Sequence, residues 1–392
     1  MSTNRYLIIG GGMTADAAVH GIREVDPDGT ITLIGAEPQP PYNRPPLTKG
    51  LWKGEAVESI WRKTGDAAVE LQLGRRIMSL DLPRKIAVDD RGDSHNYDKL
   101  LLATGATPRK LPFGGDDVTY YRGFADYERI RKVADTEGAV VVIGGGFIGS
   151  EIAAGLAMNG CKVSMLFPED GIGSRIFPAD LAKHLVRYYR DKGVQVSSGE
   201  QVAGIARADG PIVVSTKSGK KLEADAVIAG VGVTPETELA SAAGLAVEDG
   251  IIVDEHLRTS MPDVYAAGDV ARFMSPQLGK RIRVEHEDNA LTMGRAAGRA
   301  MAGDKAVYDH LPFFYSDLFD LGYEAVGDTD SRLETVADWR TEFREGVVYY
   351  LAGGKVRGVL LWGIFGKVDE ARALIASGDT VNAANLKGRI VP

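Results

Sequence analysis

Cysteine is nearly absent from this chain of 392 residues, in which Cys161 stands alone. One thiol cannot close an internal disulfide, so a structural cross-link and a redox-active dithiol are both excluded within the chain. Cys161 lies in Asn159-Gly160-Cys161-Lys162-Val163, where a helix hands over to a strand, and it reads as a buried packing thiol. The six histidines include no His-Glu-x-x-His and no Cys/His pairing, so no metal site is expected. Basic charge is also in short supply, since 46 Lys and Arg face 54 Asp and Glu for a net charge of −8. Nucleic-acid binding as a main activity needs a basic face and is disfavoured. No apolar run approaches the ~20 residues of a membrane span. The first apolar strand follows so closely on Met1 that a leader has no room. The expectation is a cytoplasmic protein with no membrane partner.

Glycine is plentiful, and two clusters of it organise the chain. Gly10-Gly11-Gly12-Met13-Thr14-Ala15 follows the apolar run Tyr6-Leu7-Ile8-Ile9, and Gly144-Gly145-Gly146-Phe147-Ile148-Gly149 follows Val140-Val141-Val142-Ile143. Each has the form strand, tight turn, helix, as Gly-x-Gly-x-x-Ala and Gly-x-Gly-x-x-Gly. The first glycine permits the turn, and the second lets a pyrophosphate approach the backbone. The third small residue lets helix and strand pack closely. The helix N-terminus then offers free N–H groups and a favourable dipole to the anion. One such cluster is a weak signal, but two suggest two dinucleotides facing each other.

Length alone suggests two or three domains. Residues 5–35 read as strand, helix, strand, with Thr30-Ile31-Thr32-Leu33-Ile34 as the second strand. Pro38, Pro40, Pro41, Pro45 and Pro46 then predict a stiff, non-helical segment. A later strand over residues 98–104 ends at Gly105. A second βαβ unit starts near Val140, with its next strand at Val163-Ser164-Met165-Leu166-Phe167, and Val227-Ile228-Ala229-Gly230 closes it. Val264-Tyr265-Ala266-Ala267-Gly268-Asp269 reads as a strand ending at an acid. After about residue 308 alternating strands replace the fingerprints, as in Val347-Val348-Tyr349-Tyr350-Leu351 and Val356-Arg357-Gly358-Val359-Leu360-Leu361-Trp362. This tail predicts a third, antiparallel α+β domain.

Both fingerprints, with Ala103-Thr104-Gly105 and Ala267-Gly268-Asp269 in order, make the sequence resemble the two-dinucleotide flavoproteins of the pyridine nucleotide-disulfide oxidoreductase superfamily. Three further motifs narrow the resemblance: Pro41-Tyr42-Asn43-Arg44-Pro45-Pro46-Leu47-Thr48-Lys49, Gly146-Phe147-Ile148-Gly149-Ser150-Glu151 and Phe314-Tyr315-Ser316-Asp317-Leu318. These are similar to the ferredoxin reductase and apoptosis-inducing factor-like branch. The resemblance implies an α/β fold with two Rossmann-like domains, glutathione reductase-like, plus a C-terminal α+β domain. Its boundaries would be 1–112 with 235–308 for FAD, 113–234 for NAD(H) and 309–392 for the tail.

Carried onto this sequence, the resemblance implies that Gly10, Gly12 and Ala15 hold the FAD pyrophosphate and that Asp269, after Gly268, bonds the flavin ribitol. Thr104, Gly105, Arg44 and Arg109 would contact the same cofactor. The acid expected at the end of the second strand for the adenine ribose aligns with Ala36, and Glu37 next to it is the candidate. Gly144, Gly146, Ile148 and Gly149 would cradle NADH, and Gly232 would lie under its nicotinamide half. Glu169, ending Leu166-Phe167-Pro168-Glu169, would accept bonds from the ribose 2′-hydroxyl and repel a 2′-phosphate, favouring NADH over NADPH. Arg175 nearby is the residue that would meet a phosphate. Lys49 and Glu151 would form an ion pair beside the flavin N5 edge, where a fixed cation stabilises the reduced ring. Phe147 would gate the nicotinamide pocket, and Tyr315 stands where many oxygenase reductases carry tryptophan. Glu285 and His286 precede a helix whose first turn would face the flavin pyrimidine.

The function implied is an NADH-dependent FAD reductase passing electrons to a ferredoxin-type iron–sulfur protein, as a monomer or homodimer. An acidic [2Fe-2S] ferredoxin would need a local basic rim, for which Lys53, Arg62, Lys63, Lys280, Arg281 and Arg283 are candidates. One alternative is an apoptosis-inducing-factor-like sensor that oxidises NADH slowly and forms a long-lived charge-transfer complex. Another is reduction of a different small one-electron acceptor such as monodehydroascorbate.

Overall fold

A computed structural model describes residues 4–207 and 210–391. The chain divides into two compact units. One comprises Met1–Arg44, Val57–Thr107 and Thr234–Pro312, and the other Pro45–Ala56, Pro108–Val233 and Phe313–Pro392.

In the first unit the strand Arg5–Ile9 is the middle of a five-stranded parallel sheet. The order is Val264–Ala266, Lys99–Leu102, Arg5–Ile9, Thr30–Gly35, Glu70–Leu73. Its register pairs Arg5 with Thr30 and Ile9 with Ile34. Residues 6–9 and 100–102 are buried. That explains their unbroken apolar runs, since a parallel sheet is covered on both faces. The helices Met13–Val25 and Glu287–Met301 pack on each other beside this sheet.

The second unit repeats the arrangement, with Ala139–Ile143 in the middle of a parallel sheet ordered Gln195–Ser198, Lys162–Phe167, Ala139–Ile143, Ala226–Ala229, Val118–Thr119. It also holds a five-stranded antiparallel sheet ordered Phe313–Leu318, Leu321–Gly327, Lys355–Trp362, Glu345–Ala352, Glu334–Thr341. The mixed α/β class with two parallel sheets and an antiparallel tail is thus as the sequence predicts.

Three local features differ from the sequence reading. The strand Glu345–Ala352 does not alternate, because residues 346–351 are all buried. It lies inside its sheet, helix Val368–Ser377 packs on two other strands of that sheet, and Phe177 stands edge-on to Tyr323 and Trp362. The proline-rich segment, expected to be non-helical, ends in two 3-10 turns, Pro45–Leu47 and Gly50–Lys53. The proline φ near −65° suits such turns. The strand before Asp269 stops at Ala266, and Gly268–Val270 is a further 3-10 turn. Cys161 is buried between helix Phe147–Met158 and strand Lys162–Phe167, and burial pushes its thiol pKa up. Among the described residues, no helix is long and apolar enough to cross a membrane.

Candidate cofactor and active site

The two glycine turns have the shape that a dinucleotide needs. Gly10 has φ +128° and Gly144 φ +118°, a region that L side chains rarely adopt. A Cβ on Gly10 would lie 2.1 Å from the Ala103 carbonyl oxygen, and one on Gly144 would lie 2.3 Å from that of Gly230. Gly12 and Gly146 are the opposite case, because a Cβ on either meets no atom within 4 Å. Each of these residues is the N-cap of the following helix, extended and with no side-chain cap bond. Both helices therefore begin with first-turn N–H groups beside open space. Both turns thus leave the backbone open to an approaching anion. The third positions are not equivalent. Ala15 is fully buried, while a Cβ on Gly149 would come within 2.0 Å of the Gly144 carbonyl oxygen.

The first unit gathers several of the expected flavin-side residues. The Arg44 guanidinium binds the Glu37 carboxylate, and Tyr42 donates its hydroxyl to Glu37 at 2.6 Å. Burial works to lower the Arg44 pKa, but Tyr42, Glu37 and Asp269 outweigh it and hold it up. Arg44, Glu37 and Asp269 thus share one electrostatic environment, and Glu37 already has two protein partners. Gly268 has φ +79°, and a Cβ there would also meet the Thr14 hydroxyl at 2.3 Å, so the position calls for glycine. The Thr104 hydroxyl donates to the Glu236 carbonyl at 2.9 Å, and the Gly105 carbonyl accepts the Glu236 N–H at 2.9 Å. His286 caps helix Glu287–Met301, and burial pushes its imidazole down to about 4 against the opposing charges of Asp269 and Asp288. Glu285 pairs with Arg283 at 2.5 Å.

In the second unit the segment carrying Lys49 is pinned before its side chain is aimed. The Leu47 carbonyl accepts the Trp52 indole N–H at 2.7 Å and the Tyr121 hydroxyl at 2.5 Å. The Trp52 ring lies against Gly155 of helix Phe147–Met158, where a Cβ would be 2.9 Å from it. Phe147 and Glu151 are one turn apart and share a face of that helix. Lys49 Nζ then meets Glu151 Oε1 at 2.8 Å, with the two side chains 12% and 4% exposed. Such coverage is uncommon for either residue type unless paired. Glu151 also accepts the Thr48 hydroxyl at 2.5 Å and the Ser316 hydroxyl at 2.6 Å. Burial, with the Glu151 charge adding to it, pushes the phenols of Tyr189 and Tyr323 well above their usual value.

Tyr315 lies under the Lys49 ammonium, its ring centre 5.2 Å from Nζ. Phe147 stands half-exposed, edge-on to Phe314 at 5.2 Å. Glu169 follows strand Lys162–Phe167, and its carboxylate is 3.6 Å from the largely exposed Arg175. Arg109 is tied to Gly232 and Val233, donating its N–H to the first at 2.9 Å and its Nε–H to the second at 3.1 Å.

Sequence reading missed Thr48 and Ser316. Strand Phe313–Leu318 buries Phe314, Ser316 and Leu318 while Tyr315 is exposed. A serine at a core-facing position of an alternating strand was the available signal. Three of the six cations expected to form a basic rim are held by acids. Arg62 binds the buried Asp16 at 2.5 Å. Arg283 is 10% exposed and holds Asp249 at 3.1 Å as well as Glu285. Lys53 pairs with Asp317 at 2.8 Å. Lys63, Lys280 and Arg281 are exposed.

The family model described as pyridine nucleotide-disulphide oxidoreductase matches residues 4–294. A second, the C-terminal domain of mitochondrion-associated apoptosis-inducing factor, matches 297–342 and 338–377. The chain is 33% identical to the mitochondrial apoptosis-inducing factor 1 of Dictyostelium discoideum, over 97% of this chain and 80% of that protein. Among solved structures it is similar to putidaredoxin reductase in its covalent complex with putidaredoxin. That likeness has a TM-score of 0.92 at 30% identity, over 98% of this chain and 96% of the other. It is also similar to the ferredoxin reductase for the CYP199A2 system of Rhodopseudomonas palustris, with TM-score 0.90 at 30% identity over 97% and 96% of the two chains. A match that takes in both glycine fingerprints and the strands and helices around them carries the conclusion that this chain belongs to the pyridine nucleotide-disulphide oxidoreductase family, whose members work with FAD and a pyridine nucleotide.

Proposed function

We propose that this chain is an NADH-dependent flavoprotein reductase that passes electrons to a small [2Fe-2S] ferredoxin. FAD would be held by residues 1–112 with 235–308, NADH by 113–234, and residues 309–392 would complete the flavin side. The observation that carries this reading is the covered Lys49–Glu151 pair in a chain whose one thiol is buried. With no cysteine pair to relay them, electrons would leave from the flavin itself. What FAD supplies when bound is acceptance of a hydride and release of electrons singly. Lys49 would place a fixed positive charge beside the ring that gains electrons, and Glu151 would hold Lys49 in place. Asp269, through its carboxylate, would accept from ribitol hydroxyls. Arg44, Glu37, Thr104, Gly105, Arg109, Glu285, His286 and Tyr315 are assigned to the same cofactor. Phe147 would cover the nicotinamide face, with Gly232 and Ile148 lining that site. The likeness to reductases whose titles name putidaredoxin and a ferredoxin system supports the acceptor class.

The cofactor preference rests on Glu169. Its carboxylate would bond a ribose hydroxyl and repel a 2′-phosphate, while Arg175 lies within reach of the same place. Glu169→Ala is expected to lower the NADH-over-NADPH ratio of kcat/KM by about 10- to 100-fold, mostly through gain with NADPH. Steady-state kinetics with both nucleotides check this, and an unchanged ratio would remove Glu169 from the assignment.

The acceptor reading is tested at Lys280 and Arg281, exposed cations of strand Lys280–Ile282. Reversing both to glutamate is expected to slow ferredoxin reduction by about tenfold at low salt, with the difference shrinking as salt rises. Ferricyanide reduction should be unaltered. Equal loss with both acceptors would sink the docking idea.

The match of residues 297–342 and 338–377 to the apoptosis-inducing factor C-terminal model favours a second reading, an NADH-sensing flavoprotein. Rapid mixing of the NADH-reduced protein with ferredoxin separates the two. Turnover supports the reductase, and a reduced form that persists beside the acceptor supports the sensor.

A further inference from the structure

Glu151 has more donors than an ion pair requires. Its Oε1 accepts both Lys49 Nζ at 2.8 Å and the Ser316 hydroxyl at 2.6 Å, and its Oε2 accepts the Thr48 hydroxyl at 2.5 Å. The three donors come from two stretches of the second unit, the adjacent Thr48 and Lys49 and the distant Ser316, and Thr48 and Ser316 are themselves 7% and 1% exposed. Ser316 is fixed in turn by its strand, where it faces Tyr323 in antiparallel register. A lysine side chain is flexible, and its ammonium has no directional preference of its own. The carboxylate is therefore the charged anchor that holds Lys49 over the Tyr315 ring, and the pair of hydroxyls anchors the carboxylate. With both oxygens fastened by short bonds, Glu151 cannot rotate about its terminal bond without breaking at least one of them.

We propose that Ser316, together with Thr48, is a positioning residue of the redox site, clamping the two oxygens of Glu151 so that Lys49 is held in one place. The proposal rests on the assignment of Lys49 and Glu151 to the flavin made above. Neither hydroxyl needs to touch the cofactor. Among the described residues, Lys49, Thr48, Ser316, Tyr189 and Tyr323 face Glu151. Of these five Lys49 carries the positive charge, and both phenols are held protonated by burial. Loosening the clamp would leave the charges in place but blur their position. That should reduce transition-state stabilisation without weakening nucleotide binding.

The experiment uses the FAD-loaded protein with Ser316→Ala, Thr48→Val, Thr48→Ser and Glu151→Gln, and with Ser316→Ala combined with Glu151→Gln. Limiting rates of flavin reduction by NADH, the NADH KM, the flavin midpoint potential and the melting temperature are measured. Ser316→Ala is expected to lower the limiting rate about tenfold and to make the potential more negative, with KM changed by less than about twofold. Thr48→Val should act in the same direction, and Thr48→Ser should retain the wild-type rate and potential. Adding Ser316→Ala to Glu151→Gln should change neither quantity further, because residues acting through one group are not additive. A fall in melting temperature with wild-type rate and potential in both hydroxyl variants would reduce Ser316 and Thr48 to packing and overturn the proposal. So would a Ser316→Ala effect undiminished in the Glu151→Gln background. Glu151→Gln that is itself wild-type in rate and potential would instead overturn the parent assignment.

Discussion

Gly146→Val is expected to give a folded, flavin-loaded protein whose reduction by NADH is slowed at least about a hundredfold, through loss of nucleotide binding. Gly146 has φ −84°, which any residue adopts, and a Cβ there has no neighbour within 4 Å. The substitution therefore strains nothing in the chain itself. Replacing glycine by valine as N-cap costs about 1 kcal/mol of helix stability, too little to unfold a chain of this size. The two methyl groups would instead enter the space above the uncapped first turn of Phe147–Met158, where a pyrophosphate would lie. Gly144 makes the contrast, since φ +118° and a Cβ 2.3 Å from the Gly230 oxygen would disrupt the turn and the fold with it. Stopped-flow reduction by NADH, chemical reduction by dithionite and the melting temperature together check the prediction. Dithionite should still reduce the variant's flavin at the wild-type rate. A wild-type affinity for NADH would show that the nucleotide does not use this cradle.

The same contrast explains what was legible in the sequence. A glycine turn is a local demand, so strand, turn and helix at residues 6–15 and 140–149 can be read without knowing what lies elsewhere. The unbroken apolar runs of Tyr6-Leu7-Ile8-Ile9 and Val140-Val141-Val142-Ile143 announce parallel sheets for the same reason, because burial on both faces leaves its mark on one strand at a time. Lys49 and Glu151 were legible only through the motifs around them. Their partners were not. Ser316 is separated from Glu151 by 165 positions and Thr48 by 103, and no local periodicity encodes a meeting over such a span. Long-range pairing also decides which charges are available. Arg62 and Arg283 look like surface cations in sequence, yet Asp16 holds the first and Asp249, with the nearby Glu285, holds the second. Burial of every residue from 346 to 351 likewise depends on the strands on either side, which a run of alternating residue types does not reveal.

Lys49→Met is the substitution expected to separate charge from shape at the proposed redox site. Methionine keeps most of the length and apolar stem of lysine and removes the ammonium that meets Glu151 at 2.8 Å. If the cation stabilises the electron-rich ring, its loss should cost about 10²- to 10³-fold in the limiting rate of flavin reduction, the scale of removing one preorganised electrostatic donor. The NADH KM should move far less, since the cradle proposed for the nucleotide at Gly144, Gly146 and Gly149 is untouched. Stability should fall too. Glu151 keeps its bonds from Thr48 and Ser316, but an unpaired carboxylate that is 4% exposed is the situation in which breaking a buried pair costs about 3–5 kcal/mol. The two losses have different remedies. Glu151→Gln added to Lys49→Met removes the stranded charge, so the double variant should recover most of the melting temperature while its flavin is reduced as slowly as in Lys49→Met alone. Recovery of the rate along with the stability would mean that Lys49 serves only to neutralise Glu151. A slow but stable double variant leaves the positive charge itself as the catalytic requirement.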